Sequence, residues 1–297
     1  MEVKFKSLSI FEFQERFPDE DSCYQYLADL KWPNGYVCKK CGNEYYSKGR
    51  NKHDRQCTRC HYSESPTAGT LFHHIKFPLL KAFWIVYYMA TSKKGISSTE
   101  LSRKLSLRQK TVWYFQRKVR EAMKSSGNHP LDGEVIVDET VVGQQEEGTR
   151  GRKNKKKKLV VIAIEKKSKG ASRLYAKHIS RASAKEIGNF MHAYISPGAI
   201  IRTDGWTAYI PLKKDFPNLT QEKSEKKGKN FALIHRVIMG FKSWLRGIHH
   251  HASFKYLQLY LDEYAYRFNR HFMKENIFDN LLNRMMQTKP IISHTYY

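Results

Sequence analysis

The sequence predicts an α+β/α/β chain: a small ribbon of short strands, then a helical module, then a mixed sheet flanked by helices. Three observations lead there. Four of five cysteines fall in two close pairs between Cys38 and Cys60. Apolar residues recur at helical spacing from Phe77 to Ala122, and after Gly127, Asn128 and Pro130 the period changes to that of strands.

Composition bounds what such a chain can do. It has 297 residues, 40% of them apolar and 13% aromatic, which is enough to build cores and excludes a disordered polycation. Its 53 Lys+Arg against 28 Asp+Glu leave a formal charge of +25. Phosphate backbones are the commonest partner of such an excess, because each neutralised phosphate releases condensed counterions. No basic amphipathic helix with an uninterrupted apolar face points to a membrane surface. Stretches such as Phe83–Ala90 fall far short of the about 20 apolar residues that a membrane span needs. The opening MEVKFKSLSIFEFQERF has no secretory apolar region, so a soluble cytoplasmic protein is expected.

Residues 1–29 are expected to form a helical segment and 30–75 a metal ribbon. Cys38 and Cys41, then Cys57 and Cys60 after fifteen intervening residues, give the paired-knuckle spacing of a zinc ribbon. A gap of two residues lets one tight turn present both thiolates to a tetrahedral Zn²⁺ ion. Lys39, Lys40 and Arg59 lie between or beside the thiols and favour the thiolate form. Cys23 lies outside the pattern and reads as a buried thiol. His53 and His61 are near, but four cysteines already fill the site.

Residues 76–127 read as a helix-turn-helix. Pro78 starts an apolar helix, Gly95 breaks the pattern, and Ser97 or Ser98 caps a short helix carrying Leu101 and Leu105. A longer helix follows with Val112, Phe115 and Val119 on one face. Arg108, Gln109, Lys110, Arg117 and Lys118 are expected to face DNA.

Residues 130–275 read as the sheet domain and 276–297 as a C-terminal tail. Glu134–Val142 alternates as a strand, Leu159–Ile164 and Arg173–Ile179 complete an antiparallel meander, and Ser183–Ile195 is an amphipathic helix. Ala199–Thr203 is a short strand leading to Asp204, and later helices cover Phe231 to Ser243 and Lys255 to Asn269. This element order resembles a ribonuclease-H-like core. It brings Asp138 and Asp204, 66 residues apart, to neighbouring strand positions. Paired carboxylates beside a basic surface suit Mg²⁺ or Mn²⁺ and phosphoryl transfer. The basic run Arg150–Lys158 cannot bury itself and is expected at a loop or hairpin tip, where Arg150, Arg152, Lys153 and Lys155 would track DNA.

The segments WPNGYVCKKCG, SPTAGTLFH, VDETVVG, IRTDGWTAY and YLDEYAYRFNRH together resemble bacterial insertion-sequence transposases. The family is the zinc-ribbon, DDE-type group numbered fifteen-ninety-five. The resemblance implies a DNA transposase that binds terminal inverted repeats and catalyses metal-dependent strand cleavage and strand transfer. Double-stranded DNA, as element ends and target, and further copies of the chain are its implied partners. Asp138 and Asp204 match the first two catalytic carboxylates, and Lys242 matches the lysine of the K-x-W-L motif. The resemblance puts Gly240 at the third catalytic position, where a glycine offers no ligand oxygen. That implies an impaired copy, or a ligand shifted to Glu139 or His235. A catalytically inactive DNA-binding protein is the alternative. His249, His250 and His251 read as motif residues near DNA or as plain surface.

Overall fold

The computed structural model describes residues 8–143, 157–168, 170–249, 253–273 and 276–291. The chain divides into two compact units, Met1–Met123 with Met273–Tyr297, and Lys124–Phe272. Among the described residues no helix is long and apolar enough to cross a membrane.

In the first unit, α1 (Ile10–Arg16) and α2 (Glu20–Lys31) each begin with a capping box, at Ser9 and Asp19. A three-stranded antiparallel sheet follows, β1 (Tyr46–Lys48), β2 (Arg55–Cys57) and β3 (Ser63–Glu64). Then come α3 (Leu79–Thr91), α4 (Ser98–Leu105) and α5 (Gln109–Met123). Pro78 has no side chain able to cap α3, and Glu20 of α2 supplies the acceptor instead, taking the N–H of Leu79 at 2.5 Å. The stretch set apart in the sequence as a tail carries a further helix, α9 (Ile277–Gln287), which packs within this unit. Phe278 meets Phe13 edge-on at 5.6 Å, and Asp279 accepts from Arg16 and from the Tyr26 hydroxyl.

The second unit is built on a five-stranded sheet in the order β6-β5-β4-β7-β8. The strands β4 (Glu134–Val142), β5 (Lys158–Lys167) and β6 (Gly170–Ile179) form the antiparallel meander that alternation predicts. After α6 (Ala184–Tyr194) the chain returns as β7 (Ile200–Asp204), parallel to β4, and then as β8 (Leu219–Glu222), parallel to β7. Strand β8 and the 3-10 helices Thr207–Lys214 and Lys226–Phe231 were not anticipated from the sequence; they are short and lack a clear period. Two helices close the unit, α7 (Ala232–Ile248) and α8 (Phe254–Asn269).

Because side chains alternate along a strand, the sheet has two cores. Val135, Val137, Val161, Ala163 and Ile201 pack with Ile187, Phe190 and Met191 of α6. Ile136, Val160, Ile162 and Ile164 pack on the opposite face with Ile234, Ile238 and Phe241 of α7 and Leu257 and Leu261 of α8. Lys158, the last residue of the basic run, is not in a loop: it opens β5, is 9% exposed, and sits over the Phe254 ring at 5.0 Å. Phe190 is fully buried between α6 and the sheet. Phe190→Ala should cost about 3–5 kcal/mol of unfolding free energy, read as a lowered urea midpoint for this unit.

Candidate active site and metal centre

In the first unit the four ribbon cysteines come together. Cys38 Sγ lies 3.6 Å from Cys60 Sγ, and Cys41 Sγ 3.6 Å from Cys57 Sγ. Both separations are close to the about 3.8 Å edge of a tetrahedron with zinc–sulfur arms of about 2.3 Å. Among the described residues this is the one set of three or more His, Cys, Asp or Glu side chains whose ligand atoms all lie within 4.8 Å of one another. The two knuckles are built alike. Gly42 follows the first and His61 the second, both with left-handed backbone, φ 73° and 57°, and each donates its N–H to the first cysteine of its own pair. His61 therefore serves as a turn residue, and His53 pairs with Asp21 at 2.8 Å.

The thiols cannot all ionise without a cation. Burial opposes the Cys57 thiolate, but the N–H groups of Cys60 and Arg59 and the side chains of Asn43 and Cys41 outweigh it and bring its pKa down to about 6. Cys41 receives a backbone N–H from Asn43, yet burial and hydrogen bonding with Cys60, Cys57 and Cys38 push it up to about 12. This donor set fits Zn²⁺. Metal analysis should find one zinc per chain, and Cys57→Ser should abolish it and expose the β1–β3 ribbon to protease.

In the second unit the register of β4 and β7 positions the carboxylates. Ile136 pairs with Arg202 and Val137 with Thr203, and the next residue on each strand is Asp138 or Asp204. Parallel neighbours lie about 4.8 Å apart. Asp138 shares the parity of Ile136, which packs toward α7, and Asp204 that of Arg202, whose guanidinium lies 5.8 Å from the Phe231 ring of that same core. Both carboxylates therefore belong to the α7 face. Asp138 Oδ1 accepts the N–H of Glu139 at 2.8 Å, and Asp204 Oδ1 accepts that of Trp206 at 3.1 Å.

Glu139 has the opposite parity and belongs to the α6 face. Its Oε1 accepts the hydroxyl of Tyr209 at 2.6 Å. Burial first, then the negative charge of Glu139, holds the Tyr209 hydroxyl protonated far above its ordinary range, so it stays a donor.

Helix α7 brings His235 to the first carboxylate, its Nε2 3.4 Å from Asp138 Oδ2. Lys242 is two turns further along the same face. Burial lowers its pKa, and the field of Asp138 acts in the other direction. Gly240 lies on the same helix. At 100° per residue it lies about 140° around the helix from His235. A Cβ there would meet the Tyr264 hydroxyl of α8 at 3.2 Å, so the position points at a neighbouring helix. The motif's linear order does not show this, because the five steps from His235 to Gly240 carry the chain well around the helix. A second glycine shapes the site. Gly228 has φ 65°, and a Cβ on it would stand 2.2 Å from Cε1 of His235, so the imidazole rests against bare backbone. Gly228→Ala should cost about 1–2 kcal/mol for the left-handed backbone alone and displace the ring, visible as a shifted His235 imidazole resonance.

The side chains expected to face DNA divide. Arg108, the last residue of the three-residue turn from α4, and Gln109 and Lys110 at the start of α5 are exposed, and Gln109 Nε2 donates to Ser98 Oγ at 2.7 Å. Arg117 and Lys118 are corrected: α5 is covered on more than the face of Val112, Phe115 and Val119, and takes Gln116, Arg117 and Arg120 inside as well. Arg117 is 5% exposed with its guanidinium over Trp113 at 4.8 Å, and Lys118 donates to the carbonyl of His73. Arg150, Arg152, Lys153 and Lys155 lie outside the described residues, as do His250 and His251. His249 stacks on Tyr260 at 4.0 Å.

Residues 130–269 match the family model of the ISXO2-like transposase domain, and residues 18–63 match that of a transposase zinc-ribbon domain. An uncharacterized protein in transposable element ISH50 of Halobacterium salinarum is 26% identical over 216 residues, which are 67% of this chain and 72% of that protein. A pre-cleavage Mos1 transpososome is 10% identical with a TM-score of 0.26, over 68% of this chain and 77% of that one. The Mos1 mariner paired end complex with Mn is 11% identical with a TM-score of 0.28, over 65% and 76%. Together the two models match 186 of the 297 residues, in the order zinc ribbon then transposase domain, and on that joint match the chain belongs to the insertion-sequence transposase family numbered fifteen-ninety-five.

Proposed function

We propose that this transposase binds the terminal inverted repeats of an insertion sequence and performs metal-dependent strand cleavage and strand transfer. The observation that carries the reading is the trio of Asp138, Asp204 and His235 on the α7 face of adjoining strands and helix. Two carboxylates and an imidazole offer a donor set suited to Mg²⁺ and especially to Mn²⁺, which accepts nitrogen more readily. When bound, such ions supply the charge that activates the attacking oxygen and steadies the leaving one. The trio is not drawn together to 4.8 Å as the cysteines are. Asp138, Asp204 and His235 are the residues that would hold such ions.

The residues have separate tasks. Asp138 and Asp204 hold the ions. His235 completes the set in place of Glu139, which is engaged with Tyr209 on the other face, and Lys242 neutralises the phosphate being attacked. Gly240 has no catalytic part, so the reason for expecting an impaired copy falls away. The exposed start of α5 and the ribbon supply recognition, with Arg108, Gln109 and Lys110 meeting backbone and base edges. Arg150, Arg152, Lys153 and Lys155 add phosphate contacts. The chain acts in the cytoplasm as a homo-oligomer that brings element ends together.

Asp138→Ala, Asp204→Ala and His235→Ala should each lower nicking of a labelled element-end duplex by at least ~10²-fold while leaving duplex binding intact. Gly240→Asn should leave nicking within about twofold of wild type. Wild-type silence restored by Gly240→Asn would reverse the assignment of the third ligand.

A further inference from the structure

Trp206 stands two residues beyond Asp204 and is tethered at three points. Its N–H donates to Asp204 Oδ1 at 3.1 Å, its indole Nε1–H donates to the carbonyl of Ala182 at 3.0 Å, and its own carbonyl accepts from Gln221 Nε2 at 2.8 Å. The residue is nevertheless 39% exposed. A large aromatic ring fixed in orientation and left partly in water, next to a carboxylate of the site, is poorly explained by core packing. Its anchor has a meaningful place. Strand β6 is parallel to β4, since each is antiparallel to β5, so the turn after Ile179 lies at the sheet edge toward which Asp138 and Asp204 are carried. Ala182 belongs to that turn, and Arg181 beside it is exposed.

We propose that Trp206 is the platform on which the terminal nucleobase of a cut element end stacks, with Arg181 meeting the adjoining phosphate. The proposal rests on the transposase reading and adds a binding contact to it. In an intact duplex each base face is covered by the next pair. Cutting the strand removes one neighbour and bares the π-face of the last base. A ring held beside Asp204 replaces the lost neighbour and keeps the new 3′-hydroxyl near the carboxylates. Stacking of this kind tolerates any base, and losing it weakens binding by about 5- to 150-fold.

The test uses full-length protein and a pre-cut duplex of the element's own end, carrying 2-aminopurine at the terminal position or a few pairs inward. Binding should quench the terminal label, and not the inner one, in wild type, Asp138→Asn and Trp206→Phe. Trp206→Ala still donates its backbone N–H to Asp204. It should lose the terminal quench and bind the pre-cut end about 5- to 150-fold more weakly, with affinity for the uncut duplex unchanged. Arg181→Ala should weaken both duplexes and keep the quench. Absence of terminal quenching in wild type overturns the platform, whether or not Trp206→Ala folds. So does equal weakening of cut and uncut duplexes in Trp206→Ala. If wild type fails to distinguish the element end from unrelated duplex, the transposase reading itself falls, and the platform with it.

Discussion

Val137 and Thr203 are paired across two parallel strands, and the residue after each is an aspartate. That pairing is the constraint on which the second unit depends. Parallel neighbours need a crossover, which α6 provides, and the crossover keeps one face of the sheet covered and dry. The opposite face is left to α7 and α8, and it is there that a pair of carboxylates can meet a ligand from a helix. A slip of one residue in the β4–β7 register would send one carboxylate to the α6 core and dismantle the arrangement without removing a ligand.

The same alternation separates Asp138 from Glu139. They are adjacent in sequence and both acidic, yet one faces α7 and the other is taken up by a buried tyrosine. Tyr209 is part of the α6 core, and its hydroxyl gives the Glu139 carboxylate a hydrogen-bond partner on that face. Gly228 plays a comparable part for His235, by giving up its side chain so that an imidazole can lie against the chain.

Much of this was legible in the sequence because strands and cysteine knuckles obey short-range rules. Two C-x-x-C pairs define a ribbon, and a period of two reveals three strands of the meander and the faces that their residues share. What was not legible depends on angles around helices. The linear motif singled out Gly240, while the side of α7 facing the carboxylates carries His235 and Lys242. The same ambiguity misplaced Arg117 and Lys118, since charge alone does not say which way a helical residue points, and a stem of methylenes lets a cation lie among aromatics. Strand β8 is four residues long, three of them polar, too brief for a period to register.

The first unit is assembled from both ends of the chain, with α9 seated among the helices that precede the sheet domain. The second unit is thus inserted between two pieces of the first. During synthesis the order of completion is the reverse of the order of appearance: the ribbon and its helices emerge first but acquire Phe278 and Asp279 only after the whole sheet domain has been made. A chain cut short after α8 would carry every ligand of the candidate active site on an intact sheet, beside a first unit still missing part of its aromatic core.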